Sequence, residues 1–276
     1  MNPLVSTEWL AAHRDAVRVV DASWYMPDEK REPGREFLAA HIPGAVFFDI
    51  DGIADRATDL PHMMPSPDAF AAAASALGLS DGDTIVIYDG SGVFSAPRVW
   101  WSLRAMGHDN VFVLDGGLPK WKREGRPLET GAAAPKPGSF HARPAAALAR
   151  DYDAVLAHLK HDDAQILDAR SQSRFSGEEK EPRPGLKSGH MPGAVNLHWR
   201  TLLTHDNTLK SDADLRRIFA EKGVDMRAPI VTTCGSGISA AILMLALEKL
   251  GAADVALYDG SWAEWGGREG APVVSG

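Results

Sequence analysis

The chain has 276 residues, 45% of them hydrophobic and 24% charged, a balance that suits one large globular domain or two of ordinary size. Its formal net charge of −8 argues against a broad nucleic-acid surface but leaves room for an anionic small molecule in a local basic pocket. A single cysteine excludes an internal disulfide.

The first residues, MNPLVSTEWLAAHRD, show no basic segment leading into an apolar core. No secretory signal is expected, and a reducing cytoplasm is the expected compartment. Val19-Val20-Asp21-Ala22 opens a series of segments that returns later in the chain. It matches Ile166-Leu167-Asp168-Ala169. His41-Ile42-Pro43-Gly44-Ala45-Val46 matches His190-Met191-Pro192-Gly193-Ala194-Val195. Asp89-Gly90-Ser91-Gly92 matches Cys234-Gly235-Ser236-Gly237. Leu114-Asp115-Gly116-Gly117 with Trp121 matches Tyr258-Asp259-Gly260-Ser261 with Trp265. The offsets stay between 144 and 149 residues and the order is kept, so the chain is a tandem repeat. The halves differ in length around Arg174 and Arg183, around Asp51 and His62, and at the loop holding Cys234, which is one residue shorter than its counterpart. Loops are where function concentrates.

The stretch from Gly125 to Arg150 holds four prolines and many alanines and reads as connecting chain. This divides the protein into an N-terminal domain over 1–135, a linker over 136–150 and a C-terminal domain over 151–276. In the second half, 153–160 reads as a helix, 165–169 and 194–197 as strands, and 212–222 as a helix with Leu215, Ile218 and Phe219 on one face. A strand over 229–233 runs into Cys234. A mostly apolar helix over 239–250 follows, which Gly251 can terminate, and then a strand over 255–258. The longest apolar run, Ile238 to Leu247, is far too short to span a membrane. Alternation of this kind predicts an α/β fold, each half a parallel sheet with helices on both faces.

A lone cysteine is commonly just a small buried hydrophobe. Cys234 is set apart by its position, where a buried strand gives way through two glycines to a helix. Ligands of parallel sheets bind at the carboxyl ends of strands. Glycines let backbone N–H groups converge, and the helix start adds positive partial charge. Both favour an anionic sulfur, the nucleophilic form. Asp89 stands in the equivalent place and cannot be a sulfur nucleophile, so the halves read as one working site and one degenerate copy. Residues kept in both halves (His41 and His190, Asp21 and Asp168, Asp115 and Asp259) read as structural. Trp262 and Trp265 read as core packing. His158 and His161 stand beside Lys160 and Asp162 on a solvated face, and no metal-ligand spacing is found.

With CGSGISA at Cys234–Ala240, HIPGAVFFDID, SAPRVWW and DGSWAEW, the chain resembles the tandem rhodanese-like sulfurtransferases over essentially its whole length. The loop is similar to that of the members acting on 3-mercaptopyruvate. Thiosulfate-specific members carry arginine and lysine where this chain has Gly235 and Ser236. The resemblance implies that Cys234 carries sulfur as a persulfide, without a cofactor, from a mercapto-acid donor to a thiol such as thioredoxin or glutathione, or to cyanide. It implies that Arg174 and Arg183 hold the donor's carboxylate and keto group, a task suited to arginine's planar fork. Read from spacing alone, the same arginines neutralise Glu178, Glu179 and Glu181. The loop residues Gly235, Gly237, Ile238 and Ser239 would line the donor site. Ser236, His62 and Asp51 would form a proton relay for the departing enolate. Three rivals stay open: a thiosulfate:cyanide sulfurtransferase, a cysteine phosphatase, disfavoured because Ser239 and Ala240 stand where an arginine should close the loop, and a non-catalytic binding module.

Overall fold

A computed structural model describes residues 2–276. Ten strands form two sheets. The first contains β1 (Leu4–Val5), β2 (Arg18–Asp21), β3 (Val46–Phe47), β4 (Ile85–Tyr88) and β5 (Val111–Leu114). The second contains β6 (Ala149–Arg150), β7 (Gln165–Asp168), β8 (Val195–Asn196), β9 (Ile230–Thr233) and β10 (Val255–Tyr258). The spatial orders are β1-β5-β4-β2-β3 and β6-β10-β9-β7-β8, so the sequence repeat is a repeat of topology. Every strand pair in both sheets is parallel. β4 (IVIY) and β9 (IVTT) are buried at every position, as central strands covered on both faces must be.

The helices sit close to where sequence periodicity puts them. The helix expected over 153–160 spans Tyr152–His161, started by Asp151, whose carboxylate accepts the Ala154 N–H at 2.9 Å, and ended by Asp162 in the left-handed region. That over 212–222 spans Asp212–Glu221, and that over 239–250 spans Ala240–Lys249. The last of these is buried from Ala240 to Leu247. It is apolar all round because it is enclosed all round: β9 and β10 lie on one side, and the first domain's helix Ala96–Ala105 on the other. One apolar cluster therefore runs without a break from the first sheet to the second.

Polar ties reinforce that contact in matched pairs. The Asp115 carboxylate after β5 accepts the Leu209 N–H of the second domain at 2.9 Å. The Asp259 carboxylate after β10 accepts the Met64 N–H of the first at 2.8 Å. The two residues repeat because each domain holds the other at the same point. His41 and His190 also repeat one packing arrangement, Nδ1 against the carbonyls of Phe37 and Phe175 and the rings stacked on those phenyl groups.

The segment 136–150, expected as linker, is largely exposed but is tied to the first domain by backbone hydrogen bonds and by one buried side chain. Gly138 N–H and Arg143 N–H donate to Ser75 and Met106 carbonyls at 2.8 Å each, and Phe140 is buried against Phe70 and His108 in the first domain's core. Ala149 and Arg150 then form the edge strand of the second sheet. The chain leaves one domain as a strap and enters the other as a strand. Phe140→Ala should therefore lower stability by about 3–5 kcal/mol, the cost of emptying a buried aromatic site. Urea unfolding measures it, and an unchanged midpoint would mean that the strap is not part of the core.

Candidate functional site

Cys234 lies one residue beyond the carboxyl end of β9 and is 2% exposed. Its loop is fastened from behind by the helix Ser261–Trp265. The Trp262 and Ala263 N–H groups donate to the carbonyls of Cys234 and Gly235, both at 2.9 Å, and the Cys234 N–H reaches Ser261 Oγ at 3.3 Å. Held this way, the loop turns its next amide inward: the Gly237 N–H donates to Cys234 Sγ at 3.1 Å. Gly237 has φ +80°, a conformation that costs glycine little.

The first domain shows what such a loop binds. Asp89 takes the cysteine's place, and its carboxylate accepts five backbone N–H groups. Ser91 and Gly92 bond Oδ1 at 2.8 Å. Phe94, Ser95 and Ala96 bond Oδ2 at 2.8–2.9 Å. The turn is a two-pronged anion cradle, filled in one copy by its own side chain.

Before Cys234 opens a cleft of about 500 Å³ between the domains, walled by Trp24 and Phe94 of the first and Arg174, Arg183 and Trp199 of the second. Gly235, Ser236, Ile238 and Ser239 also line it, whereas Gly237 contributes its amide from within the loop. Trp262 and Trp265 are fully buried in the core.

The two arginines are in different electrostatic states. Arg174 is ion-paired with Glu181, its Nε 3.2 Å from Oε1 and its Nη2 on Oε2. Glu181, with a side chain only 2% exposed, is shared with Arg170, whose Nη1 lies 2.8 Å away. Arg170 forks onto Asp168 at 2.7 and 2.9 Å and lies over the Trp262 ring at 4.1 Å. Arg183 forms no carboxylate ion pair among the described residues and is half-buried. Burial lowers its pKa from the ordinary value; the field of nearby Cys234 opposes that shift and Arg174 adds to it. A Cβ at position 235 would stand 3.0 Å from Arg174 Nη2, so the loop glycine leaves room for that guanidinium.

In the first domain, His62 Nδ1 meets Asp51 Oδ1 at 2.6 Å, and Trp24 Nε1–H, of the cleft wall, donates to Asp51 Oδ2 at 2.9 Å. The hydrogen bond to His62 holds the Asp51 carboxyl below the usual range. With Nδ1–H on Asp51, the imidazole presents Nε2 as its free face, and Nε2 is buried with no partner. His62 has φ +61°, uncommon for a side-chain-bearing residue. Ser236 is buried, and no direct hydrogen bond joins it to His62. His62 and Asp51 are hydrogen-bonded to each other, and Ser236 is bonded to neither.

Sequence reasoning missed Arg170, Trp24, Phe94, Trp199 and His198. None carries a local pattern that marks it for a cleft. The half-buried His198 has its pKa lowered by burial and then by Arg200. Among the described residues no cluster of His, Cys, Asp and Glu is placed to hold a metal ion, and no helix is long and apolar enough to cross a membrane.

The family model for the rhodanese-like domain matches the chain twice, over residues 6–124 and 151–268. The 3-mercaptopyruvate sulfurtransferase of Escherichia coli K12 is 44% identical, covering 98% of this chain and 96% of that protein. The mitochondrial thiosulfate/3-mercaptopyruvate sulfurtransferase 1 of Arabidopsis thaliana is 41% identical over 99% of this chain and 78% of its own. The crystal structure of SseA from Escherichia coli, described as a 3-mercaptopyruvate sulfotransferase, superposes with a TM-score of 0.87 at 40% identity, covering 96% of this chain and all of that one.

Glu181→Gln removes the one buried carboxylate shared by the buried Arg170 and the partly buried Arg174. It should destabilise the protein by about 3–5 kcal/mol, as breaking a buried ion pair does. Thermal or urea melts would read the loss; a variant as stable as the parent would show that the pair is compensated elsewhere.

Proposed function

The chain belongs to the rhodanese-like family, and on that premise we propose that it takes sulfur from 3-mercaptopyruvate, holds it as a persulfide on Cys234 and passes it to a thiol or to cyanide. The observation that carries this reading is the cradle. An inward amide already meets Cys234 Sγ, and the matching turn of the other domain, one residue longer, holds the Asp89 carboxylate with five amides.

The chemistry follows from that placement. The Cys234 thiolate attacks the donor's sulfur, and an S–S bond forms as the donor's C–S bond breaks. The electron pair leaves on carbon as the enolate of pyruvate, which takes up one proton. Arg183, which has no carboxylate of its own, receives the donor carboxylate. Arg174 supports the keto oxygen while remaining tied to Glu181. Gly235, Gly237, Ile238 and Ser239 shape the cradle and the floor of the donor site. Ser236 delivers the proton, with Asp51 and His62 supplying it after a small movement that closes the missing link. In the second half-reaction the acceptor thiolate attacks the outer sulfur, and the Cys234 thiolate returns to its cradle. No cofactor is required, because the cysteine carries the group.

The proposal extends to a cytoplasmic setting with thioredoxin or glutathione as acceptor. Thiosulfate is the rival donor. Its sulfonate has no side-chain cation in the loop, where Gly235 and Ser236 stand, and an arginine at 235 would have to displace Arg174.

Steady-state pyruvate release tests the roles. Cys234→Ser should abolish turnover. Arg183→Ala should raise KM for 3-mercaptopyruvate roughly tenfold or more, the worth of a hydrogen bond to a charged group, with a smaller change in kcat. Ser236→Ala should lower kcat more than it alters KM. An unchanged KM in Arg183→Ala would remove the carboxylate role, and faster turnover of thiosulfate than of mercaptopyruvate would reassign the donor.

A further inference from the structure

We propose that Arg98 is a positioning residue, whose guanidinium fastens the first-domain loop bearing His62 to the second-domain turn bearing Cys234 and so sets the imidazole over the cradle. Arg98 is 2% exposed and sits at the third position of the helix Ala96–Ala105. Its Nη2 donates to the His62 carbonyl. Its Nη1 is charge-paired with Asp259 Oδ1 at 2.7 Å, off the line of a hydrogen bond, and donates to the Gly237 carbonyl at 3.4 Å. The other Asp259 oxygen accepts the Met64 N–H at 2.8 Å. One guanidinium and one carboxylate thus close a ring through His62, Met64, Asp259 and Gly237, and that ring crosses the domain boundary. The fit is tight on the loop side: a Cβ on Gly237 would stand 2.5 Å from Arg98 Nη1.

The repeat supplies an internal control. On the degenerate side Asp115 binds Leu209 N–H as Asp259 binds Met64 N–H. Asn207 stands there with φ +60°, as His62 does with φ +61°. The third residue of the matching helix, however, is Ile242, and that helix carries no charge from Ala240 to Leu247. There the Asp115 carboxyl is pushed upward by burial, opposed by the Leu209 N–H and by the fields of Lys120 and Lys249. The domain contact forms on that side without a guanidinium, so the fold does not require one at this place. Of the two matching places in the domain contact, the buried cation stands at the one that joins the His62 loop to the Cys234 turn. Placing a charge there is costly unless it is fully paired, and its effect is to fix a loop whose His62 backbone is itself in a strained region.

This inference rests on His62 acting in the transfer, and a double-mutant cycle separates the two. Wild type, Arg98→Met, Arg98→Lys, His62→Ala and Arg98→Met/His62→Ala are compared for kcat and KM in pyruvate release, with thermal melts as the folding control. Arg98→Met should lower kcat by about tenfold or more, as misplacement of a reacting group does, with KM within about twofold. Arg98→Lys, which keeps a charge but can reach fewer of the three oxygens, should fall between. In the His62→Ala background, Arg98→Met should cost little further, because its effect passes through the imidazole. Equal losses in both backgrounds would overturn the positioning role. If His62→Ala turns over like wild type, the relay reading fails and this inference with it. If Arg98→Met does not fold, the cycle is run with Arg98→Lys, and equal losses from it in the two backgrounds overturn the proposal in the same way.

Discussion

Everything in this molecule depends on a turn of backbone that points its amides at one spot. A persulfide needs a place where a sulfur anion can be held and from which the outer sulfur can still leave. Backbone N–H groups meet that need. They are dipoles held in place by a strand on one side and a helix on the other, and they cost no reorganisation when charge arrives. The Asp89 carboxylate, bonded by five such amides, is a direct view of that capacity. The cysteine copy presents a related turn, one residue shorter, in which the Gly237 amide meets Cys234 Sγ.

A cradle of amides cannot by itself choose a donor, and choice comes from the surroundings. The second domain offers two guanidiniums, one tied to Glu181 and one left without a carboxylate. The first domain closes the cleft with Trp24 and Phe94, and Trp24 in turn bonds the Asp51 carboxylate that holds His62. Duplication explains how this arose structurally. Two copies of one topology face each other through the helices Ala96–Ala105 and Ala240–Lys249, so each places a loop over the other's turn. One copy carries Asp89 where the other carries Cys234, and its Trp24 and Phe94 wall the other's cleft.

Much of this was legible in the sequence. The tandem repeat, the parallel sheets and the position of Cys234 at a strand end follow from repeated short segments and from periodicity, which are local signals. The shorter Cys234 loop was legible too. What could not be read are pairings between residues far apart in the chain. Arg174 and Arg183 look alike in sequence, yet Glu181 neutralises only the first. Phe140 lies in a proline-rich stretch with the composition of a linker, and only the hole beside Phe70 makes it core. Asp115 and Asp259 were read as structural from their repetition, but not as the ties between domains. Arg98 sits in a helix whose other buried residues are nearly all apolar, and nothing nearby announces its three oxygen partners. The short elements, β6 and the helices Gln172–Ser176 and Ser261–Trp265, are too brief to show a period.

The most direct test of the central claim is intact-protein mass spectrometry after brief exposure to 3-mercaptopyruvate, with Cys234→Ser and a thiosulfate-treated sample alongside. The account predicts a gain of one sulfur atom on the wild-type chain, none on Cys234→Ser, and loss of the added mass when a thiol is supplied. A wild-type chain that turns over mercaptopyruvate yet never gains that mass, or a Cys234→Ser chain that gains it equally, would contradict the persulfide in the cradle.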